Sequence, residues 1–373
     1  MYTAEDLAFM RHALTLASRG MNTTTPNPRV GCVLTKDDVI VGEGWHERAG
    51  APHAEIVAIA AAGRHRAMGA TAYITLEPCS HFGRTPPCAD ALREAGVARV
   101  FAAMTDPNPR VSGQGLQRLR EAGIEVRCGL LADEAQELNV GFVKRMTTGL
   151  PWVRAKTAVS ADGRTALPDG SSQWITGAVA RDDGHVWRAR ACAVLTGIGT
   201  VRKDNPQMTV RAIATPRPPL RVVVDTRFEI DLQAAIVQGG HALVAVTVDL
   251  ETPAAQDKAA LLKARGVEVV RIGRDATNGK VDLNALMQHL GERGCNEIHL
   301  EGGAQLTGAM MRQGLIDEWL VYMAPMMMGE GRPMAAGIGP WATLDEVPRW
   351  RWSEPARVGD CLRLRLVKNQ TER

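Results

Sequence analysis

The sequence predicts a protein of the α/β class with two domains. Short apolar segments rich in β-branched residues alternate with amphipathic or alanine-rich segments along both halves of the chain. The pattern restarts after a Thr-Thr-Gly-Leu-Pro stretch at 147–151, and 373 residues fit two domains at roughly 100–200 residues each. We therefore expect one domain over residues 1–148 and another over 149–373.

The first domain opens with a predicted helix over the first 20 residues, because Leu7, Met10 and Leu14 share one helical stripe and Thr3 is a candidate N-cap. A hairpin over 30–34 and 39–42 follows around a Lys-Asp-Asp turn. The remaining predicted elements are a helix from 53 to 60, strands 71–76, 98–104 and 125–128, and helices 89–95, 115–122 and 131–142.

The second domain begins with an alternating stretch over 152–158, which is typical of a strand. Its other predicted strands are 193–195, 220–224, 242–246, 267–272, 297–301 and 318–323, and its predicted helices are 254–264, 283–290 and 305–312. The proline-rich stretches 216–219 and 325–333 are predicted surface loops.

The charge balance argues against a polyanion partner. The chain has 44 Lys+Arg against 41 Asp+Glu, a net charge of +3, and only 4% aromatic residues, so no basic stripe with interleaved aromatics predicts nucleic-acid binding. No apolar stretch approaches the roughly 18–20 residues of a membrane span, and the first residues lack a signal-peptide pattern. The seven scattered cysteines do not form a disulfide framework. We expect a cytoplasmic protein that acts on a small molecule.

A set of metal-ligand residue types lies in the first domain: His53, with Glu55 two positions later, and then Pro78-Cys79 and Cys88. One imidazole and two thiolates suit Zn²⁺ and leave a fourth position for water, whose pKa the metal lowers to about 7. A glutamate beside that water can transfer protons, as in zinc deaminases. Each motif alone is weak, and a closed structural zinc site with His81 as the fourth ligand is the alternative.

The second domain lacks the G-x-G-x-x-G fingerprint of an ordinary dinucleotide-binding fold. Glu301-Gly302-Gly303-Ala304-Gln305-Leu306 instead lies between a predicted strand and a predicted helix. Glycines at such a turn let backbone amides approach an anion, and the helix N-terminus favours phosphate. The same glycines also occur at such turns for conformational reasons alone.

The loop Pro78-Cys79-Ser80-His81-Phe82-Gly83-Arg84-Thr85-Pro86-Pro87-Cys88, with His53-Ala54-Glu55 and Pro26-Asn27-Pro28-Arg29-Val30-Gly31 upstream, resembles the deaminase half of the bifunctional riboflavin-biosynthesis deaminase/reductase family. The resemblance implies a cytidine-deaminase-like α/β/α sandwich in which zinc binds His53, Cys79 and Cys88 and Glu55 transfers protons. It also implies that Asn27 and His46 contact the pyrimidine or ribose, and that His81, Arg84 and Thr85 close a loop over the substrate.

The stretches 156–164, 171–177, 188–189, 200–206 and 209–211 resemble the reductase half of the same family, which is similar in fold to dihydrofolate reductase and uses NADPH. The residues that this resemblance assigns to NADPH are Ala158, Trp174, Thr200, Asp204, Thr226, Gly302, Gly303, Ala304, Gln305 and Leu306. Those it assigns to the phosphosugar substrate are Ser172, Arg188, Met208, Arg211 and Glu301. Lys156 and Asp162 position or protonate the sugar carbonyl, or else form a buried ion pair. For Trp174 the alternative is a core aromatic, and for the two arginines a surface charge.

The expected function is two consecutive steps of riboflavin synthesis on a pyrimidine ribosyl phosphate, in a homo-oligomer (dimer or tetramer). One alternative is a nucleic-acid or nucleoside base deaminase with an accessory nucleotide-binding domain, since the zinc chemistry is shared. Another is a zinc-stabilised binding protein that captures nucleotides without turnover.

Overall fold

The computed structural model of the chain describes residues 2–80, 86–109, 111–353 and 355–369. It divides into two compact units, Met1–Leu150 and Pro151–Arg373. Among the described residues, no helix combines the length and the apolar character that crossing a lipid bilayer requires.

In its described residues, the first unit combines a five-stranded sheet with helices. Its helices are α1 (Ala4–Ser18), α2 (Ala54–Ala62), α3 (Arg64–Ala67), α4 (Cys88–Glu94), α5 (Gln114–Glu121), α6 (Ala132–Leu138) and α7 (Val140–Thr148). Its strands are β1 (Gly31–Lys36), β2 (Val39–Trp45), β3 (Thr71–Ile74), β4 (Arg99–Ala102) and β5 (Glu125–Cys128). The strand order is β2-β1-β3-β4-β5, with β3, β4 and β5 parallel and β1 antiparallel to both its neighbours.

This sheet lies between two layers of helices. Because successive side chains of a strand point to opposite faces, Phe101 of β4 joins one buried cluster with Met10 of α1, and Val100 joins another with Leu92 of α4 and Leu119 of α5. The arrangement is an α/β/α sandwich, as predicted.

Helix α1 confirms the predicted opening helix and its cap. The Thr3 hydroxyl accepts a hydrogen bond from the Asp6 amide at 3.1 Å, and the Asp6 carboxylate accepts one from the Thr3 amide at 2.8 Å. This reciprocal capping box pairs two of the amides that a helix N-terminus leaves without an intrahelical partner.

Helix α2 lies very close to strand β2. A Cβ atom at Gly44 would come within 2.6 Å of the Ala54 carbonyl oxygen, so the first turn of α2 can lie against β2 only because residue 44 is glycine. That turn carries His53 as the N-cap and Glu55 as the second helical residue.

The second unit is built on a larger sheet. Its helices are α8 (Ala178–Arg190), α9 (Ile198–Asp204), α10 (Pro253–Ala264), α11 (Leu283–Glu292) and α12 (Ala304–Arg312). Its strands are β6 (Trp152–Ser160), β7 (Arg164–Ala166), β8 (Ala193–Gly197), β9 (Leu220–Val224), β10 (Ala242–Val246), β11 (Val267–Arg271), β12 (Glu297–Leu300), β13 (Glu318–Ala324), β14 (Arg332–Pro333), β15 (Trp350–Trp352), β16 (Ala356–Val358) and β17 (Cys361–Lys368).

Over the described ranges, the main sheet runs in the order β11-β10-β9-β8-β12-β6-β13-β17-β15, and β16 pairs with β17. The strands from β11 to β13 are mutually parallel, whereas β17 is antiparallel to β13, β15 and β16. The carboxyl ends of β8, β9, β12 and β6 therefore lie at one edge of the sheet, where open α/β sheets bind ligands.

A buried ion-pair network crosses the middle of this sheet. Arg154, whose side chain is 0% exposed, bonds Glu297 at 3.1 Å and Glu318 at 2.9 Å. Arg365 bonds the other oxygen of Glu318 at 2.7 Å, and the Arg154 guanidinium lies 4.6 Å from the Trp187 ring. The guanidinium thus has two carboxylates to offset its loss of hydration.

The structure differs from the predicted elements in several places, and the short elements α3, α9, β7, β15 and β16 were not predicted. The predicted helix 131–142 is two helices, α6 and α7, separated at Asn139, whose side-chain amide bonds the Arg29 backbone instead. Helix α8 and strand β17 are absent from the prediction, since α8 is rich in charged residues and β17 alternates Leu with Arg. The predicted loop 325–333 ends in β14, which pairs with β7.

Candidate active sites

Three predicted metal ligands meet in the first unit. The Nδ1 atom of His53 lies 3.2 Å from the Cys88 sulfur and 3.6 Å from the Cys79 sulfur. Among the described residues, these three form the one group of His, Cys, Asp or Glu side chains that could hold a metal ion, with all ligand atoms within 4.8 Å of one another.

The spacing of these atoms fits tetrahedral zinc. With Zn–S near 2.3 Å and Zn–N near 2.0–2.1 Å, neighbouring tetrahedral ligands are about 3.5–3.8 Å apart. Nitrogen and thiolate are also the donors that zinc prefers. His81, the alternative fourth ligand, lies outside the described residues, as do Arg84 and Thr85.

Two backbone amides at the start of α4 donate hydrogen bonds to Cys79 and so join the two cysteine segments. Helix α4 begins at Cys88, whose amide donates to the Cys79 sulfur at 3.3 Å. The next amide, that of Ala89, donates to the Cys79 carbonyl oxygen at 3.2 Å. The Cys79 sulfur therefore lies at a helix N-terminus, a position that favours the thiolate.

The pKa values of this group reflect its close contacts. A hydrogen bond from the Cys88 thiol lowers the pKa of Cys79 to about 4 and raises that of Cys88. The hydrogen bond to Cys79 raises the pKa of His53, although burial opposes it. A bound divalent cation would deprotonate both thiols, because a coordinating thiol binds as the thiolate.

Glu55 is buried beside the three candidate ligands. Its side chain is 3% exposed, and burial is the main cause that raises its pKa to about 7. Its charge interacts with His53, Cys79 and Cys88. A carboxyl group placed there can both accept and release a proton near neutral pH.

Asn27 and His46 form a polar pair next to the candidate ligands. The Asn27 amide nitrogen lies 3.0 Å from His46 Nε2, and His46 Nδ1 lies 3.0 Å from the Pro52 carbonyl oxygen. A carbonyl can only accept, so Nδ1 carries the proton and Nε2 accepts from Asn27. The His46 and His53 rings meet edge to face at 5.4 Å, which places this pair against the metal-ligand group.

In the second unit, Glu301 lies at the centre of a cluster of charged side chains. The Nε and Nη2 atoms of Arg188 each lie 2.7 Å from one Glu301 oxygen, and His299 Nε2 lies 3.5 Å from that oxygen. Leu300 pairs with Ala155 across β12 and β6, which brings their neighbours Glu301 and Lys156 side by side. The predicted substrate residues Arg188, Glu301 and Lys156 are therefore together, and Arg188 is not a free surface charge.

Burial and charge set the ionisation of this cluster. Burial opposes ionisation of Glu301, but the positive charges of Arg188 and Lys156, together with the hydrogen bond from Arg188, outweigh it and lower the pKa to about 2. Burial lowers the pKa of His299 to about 3 and also lowers that of Lys156. The site thus combines a carboxylate with a neutral imidazole near neutral pH.

The glycine turn lies beside a second strand-to-helix turn. A Cβ atom at Gly303 would be 3.5 Å from the Thr200 hydroxyl, and one at Gly197 would be 3.5 Å from Leu306. Strands β8 and β12 are adjacent and parallel, so α9 and α12 both begin at the same edge of the sheet. The predicted residues Thr200 and 302–306 are therefore neighbours.

The other predicted reductase residues are more dispersed. Ala158 lies on β6, Asp204 ends α9, Thr226 follows β9, and Ser172 and Met208 lie in loops. Trp174 is 68% exposed and lies 4.5 Å from the Arg181 guanidinium, so the core-aromatic alternative is wrong. Arg211 is exposed and bonds Thr209 in its own loop.

Asp162 does not form the ion pair with Lys156 that was the alternative for these two residues. Its carboxylate instead accepts hydrogen bonds from Ser160 at 2.5 Å and from the Met328 and Gly329 amides at 3.0 and 2.7 Å. Asp162 therefore holds the 325–333 loop against the end of β6.

Two residues at these sites were missed by the sequence analysis. His299 is fully buried, and neither ring nitrogen has a hydrogen-bond partner in the described part of the chain. Glu77 is buried directly before Pro78-Cys79. A polar residue within an otherwise apolar strand, and an acidic residue beside a ligand motif, were the available signals.

Comparisons with known proteins cover nearly the whole chain. Residues 3–104 match the family described as the cytidine and deoxycytidylate deaminase zinc-binding region, and residues 151–361 match the RibD C-terminal domain. The riboflavin biosynthesis protein RibD of Escherichia coli K12 is 44% identical over 376 residues, which are 97% of this chain and 99% of the relative.

Solved structures agree with these matches. Acinetobacter baumannii RibD, form 1, aligns with a TM-score of 0.87 at 41% identity, over 98% of this chain and 99% of that one. The diaminohydroxyphosphoribosylaminopyrimidine deaminase/5-amino-6-(5-phosphoribosylamino)uracil reductase of Thermotoga maritima aligns with a TM-score of 0.84 at 31% identity, over the same fractions. The predicted fold class is confirmed: a cytidine-deaminase-like domain precedes a reductase domain of the NADPH-using kind. The chain belongs to the RibD family, the bifunctional zinc-dependent deaminases and NADPH-dependent reductases of riboflavin biosynthesis.

Proposed function

We propose that the first unit hydrolyses the exocyclic amine of 2,5-diamino-6-ribosylamino-4(3H)-pyrimidinone 5′-phosphate and that the second reduces the ribosyl group of the product to ribityl with NADPH. The observation that carries the proposal is the convergence of His53 Nδ1 and the Cys79 and Cys88 sulfurs beside the buried Glu55. The names of the relatives support the choice of substrates.

In the deamination step, His53, Cys79 and Cys88 hold zinc, and Glu55 carries protons. Zinc, when bound, makes a water molecule acidic enough to serve as a nucleophile at neutral pH. Glu55 accepts one water proton as the oxygen adds to the ring carbon and passes it to the adjacent ring nitrogen. It then takes the remaining hydroxyl proton and passes it to the amine, so that the C–N bond breaks, ammonia leaves and a ring carbonyl forms. Asn27 and His46 orient the pyrimidine or ribose, supported by their place against His53.

In the reduction step, the cluster around Glu301 positions the substrate sugar. Arg188 is held by Glu301 and donates to the Thr209 carbonyl at 2.5 Å, so its part is to fix the substrate pocket. The exposed Arg211 is the better donor to the substrate phosphate, since a guanidinium offers forked, permanently charged donors. Lys156 positions or protonates the sugar carbonyl, a role supported by its place beside Glu301. Ser172 and Met208 complete the substrate contacts.

NADPH supplies the hydride in this step. The two adjacent helix N-termini near Thr200 and Gly303 offer backbone amides to its phosphates. Thr226 lies at the same sheet edge after β9, and its carbonyl accepts from Thr247 at 2.9 Å. We assign the 302–306 turn, Ala158, Trp174 and Asp204 to the same cofactor site.

The test separates the two units. Glu55→Gln should lower ammonia release from the diaminopyrimidinone phosphate by about 10²–10⁴-fold, because proton transfer is lost. NADPH oxidation with the deaminated substrate should stay unchanged, and zinc content with circular dichroism checks that the first unit is folded. A parallel loss of both activities in a folded variant would contradict the assignment of one reaction to each unit.

We also propose a homo-oligomer, dimer or tetramer, in the cytoplasm. Trp352 and Leu362, on β15 and β17 near one edge of the main sheet, are 58% and 46% exposed, which supports association. All seven cysteines are free, as a reducing compartment favours. Light scattering after size-exclusion chromatography tests the assembly, and a monomer at micromolar concentration would contradict it.

A further inference from the structure

We propose that Glu77, together with helix α5, positions the two zinc-binding cysteines, and that zinc affinity depends on the contacts between α5 and the two cysteine segments. The inference rests on the proposed zinc site. Glu77 touches none of the three ligand side chains in the contacts described above, so its part is that of a positioning residue.

Glu77 is tied to the start of α5 by an unusually complete set of hydrogen bonds. Its Oε2 accepts from the amides of Asp106 and Gly113 at 2.9 and 2.8 Å, and its Oε1 accepts from the amides of Gly115 and Leu116 at 2.8 and 3.4 Å. Its side chain is buried, and two of these donors belong to the first turn of a helix, where a carboxylate is favoured.

The backbone of α5 also contacts the cysteine segment directly. A Cβ atom at Gly115 would lie 1.9 Å from the Pro78 carbonyl oxygen, so only glycine lets the helix approach this close. The two residues before Cys79 therefore both lie against the start of α5: Glu77 is bonded to it through its carboxylate, and the Pro78 carbonyl packs closely against Gly115.

The same helix reaches the second cysteine segment. Arg118 Nη1 donates to the Ser80 carbonyl oxygen at 3.3 Å, and its Nη2 donates to Asp90 at 2.8 Å. Ser80 follows Cys79, and Asp90 lies two residues after Cys88 on α4. One helix thus spans both thiolate segments and fixes the distance between them.

These contacts affect zinc affinity because they set the distances between the ligand atoms. Tetrahedral zinc accepts only a narrow range of distances between its ligands. Groups that hold ligands in place typically account for about 10–100-fold in metal affinity. An alternative role, in which Glu77 only caps α5, predicts lower stability of the first unit with unchanged zinc binding.

The experiment compares Glu77→Gln and Arg118→Ala with Arg120→Ala, an exposed charge on the same helix, in the full-length zinc-loaded protein. A glutamine can accept through only one of its two terminal atoms, so two of the four hydrogen bonds are lost. Zinc affinity is measured by competition with a chromogenic chelator. The cobalt-substituted protein is measured by absorption, since its d–d bands report ligand geometry. Circular dichroism and thermal unfolding check that the first unit is folded, and reductase activity checks the second unit.

We expect zinc affinity about 10–100-fold lower in Glu77→Gln, a smaller fall in Arg118→Ala, and shifted cobalt bands in both. Arg120→Ala should match the parent, as should the reductase activity of all three. Parent-like zinc affinity and cobalt spectra in Glu77→Gln and Arg118→Ala overturn the inference, even if the first unit melts earlier. Should Glu77→Gln not fold, Arg118→Ala decides alone. His53→Ala separates the two proposals: if it too retains zinc, the zinc site itself is wrong.

Discussion

The two units assemble their candidate sites over very different distances along the chain. In the first, His53 and Cys88 are 35 residues apart, and every predicted metal ligand belongs to a short sequence motif. In the second, Arg188 on α8 and Glu301 at the end of β12 are 113 residues apart, and the packing of the fold brings them together. The first site depends on a few metal ligands that lie within short sequence motifs. The second depends on charged side chains that several strands of one sheet bury together.

The largest effect should come from removing one donor of the local site. His53→Ala should abolish zinc binding and lower ammonia release by more than about 10⁴-fold, since water activation and its alignment with Glu55 are both lost. Metal analysis and an ammonia assay measure the change. Reductase turnover should stay within a factor of two, and a collapse there would show that the second unit depends on the first.

In the second unit, breaking the buried ion-pair network around Arg154 should lower the stability of the fold. Glu318→Gln leaves the buried Arg154 with one carboxylate fewer and should lower the free energy of unfolding of the second unit by about 3–5 kcal/mol. Urea unfolding followed by tryptophan fluorescence measures it. Glu268→Gln, which breaks an exposed pair with Arg293, is the matched control and should cost less than about 1 kcal/mol. Equal losses would show that burial does not distinguish the two pairs.

The stability that the buried Glu318 ion pairs contribute should also depend on pH. Burial opposes ionisation of Glu318, but Arg154 and Arg365 outweigh it and lower its pKa from near 4.5 to about 2. Because the folded-state pKa is depressed, the contribution is complete above the unfolded value and is lost as the pH falls from about 4.5 towards 2. Unfolding free energies between pH 6 and about 3 should fall more steeply for the parent than for Glu318→Gln. Identical slopes would contradict this.

The smallest effect concerns a local motif outside either site. Thr3→Ala removes the N-cap of α1 and should lower the stability of the first unit by about 1 kcal/mol. Zinc content and both activities should be unchanged at 25 °C. Thermal unfolding measures the loss, with Thr15→Ala, an exposed position within the same helix, as the control.

Sequence reasoning reached those features whose cause lies within a few residues. The N-cap at Thr3, the metal donors and the glycine turn at 302–303 each have a signal in adjacent positions. Most strands of the two main sheets followed approximately from apolar runs flanked by turns, but β15, β16 and β17 did not.

Features that depend on a distant partner were not predictable in this way. The break at Asn139 arises from hydrogen bonds to Arg29, 110 residues away, and not from any helix-breaking residue. His299 joins the Glu301 cluster through burial in a sheet whose strand order the sequence does not state. Glu77 binds amides that lie 29 to 39 residues further along the chain.

The hydrogen bonds from Cys88 and Ala89 to Cys79 close a chain segment at its base. Lengthening a segment that is already closed costs little free energy, about 0.6 kcal/mol for each doubling of its length. Because these two bonds lie at the ends of the segment, a change in the length of the chain between Ser80 and Cys88 should leave the two sulfurs near each other. The closeness of the two donors is then a property of the start of α4 and not of the length of the loop.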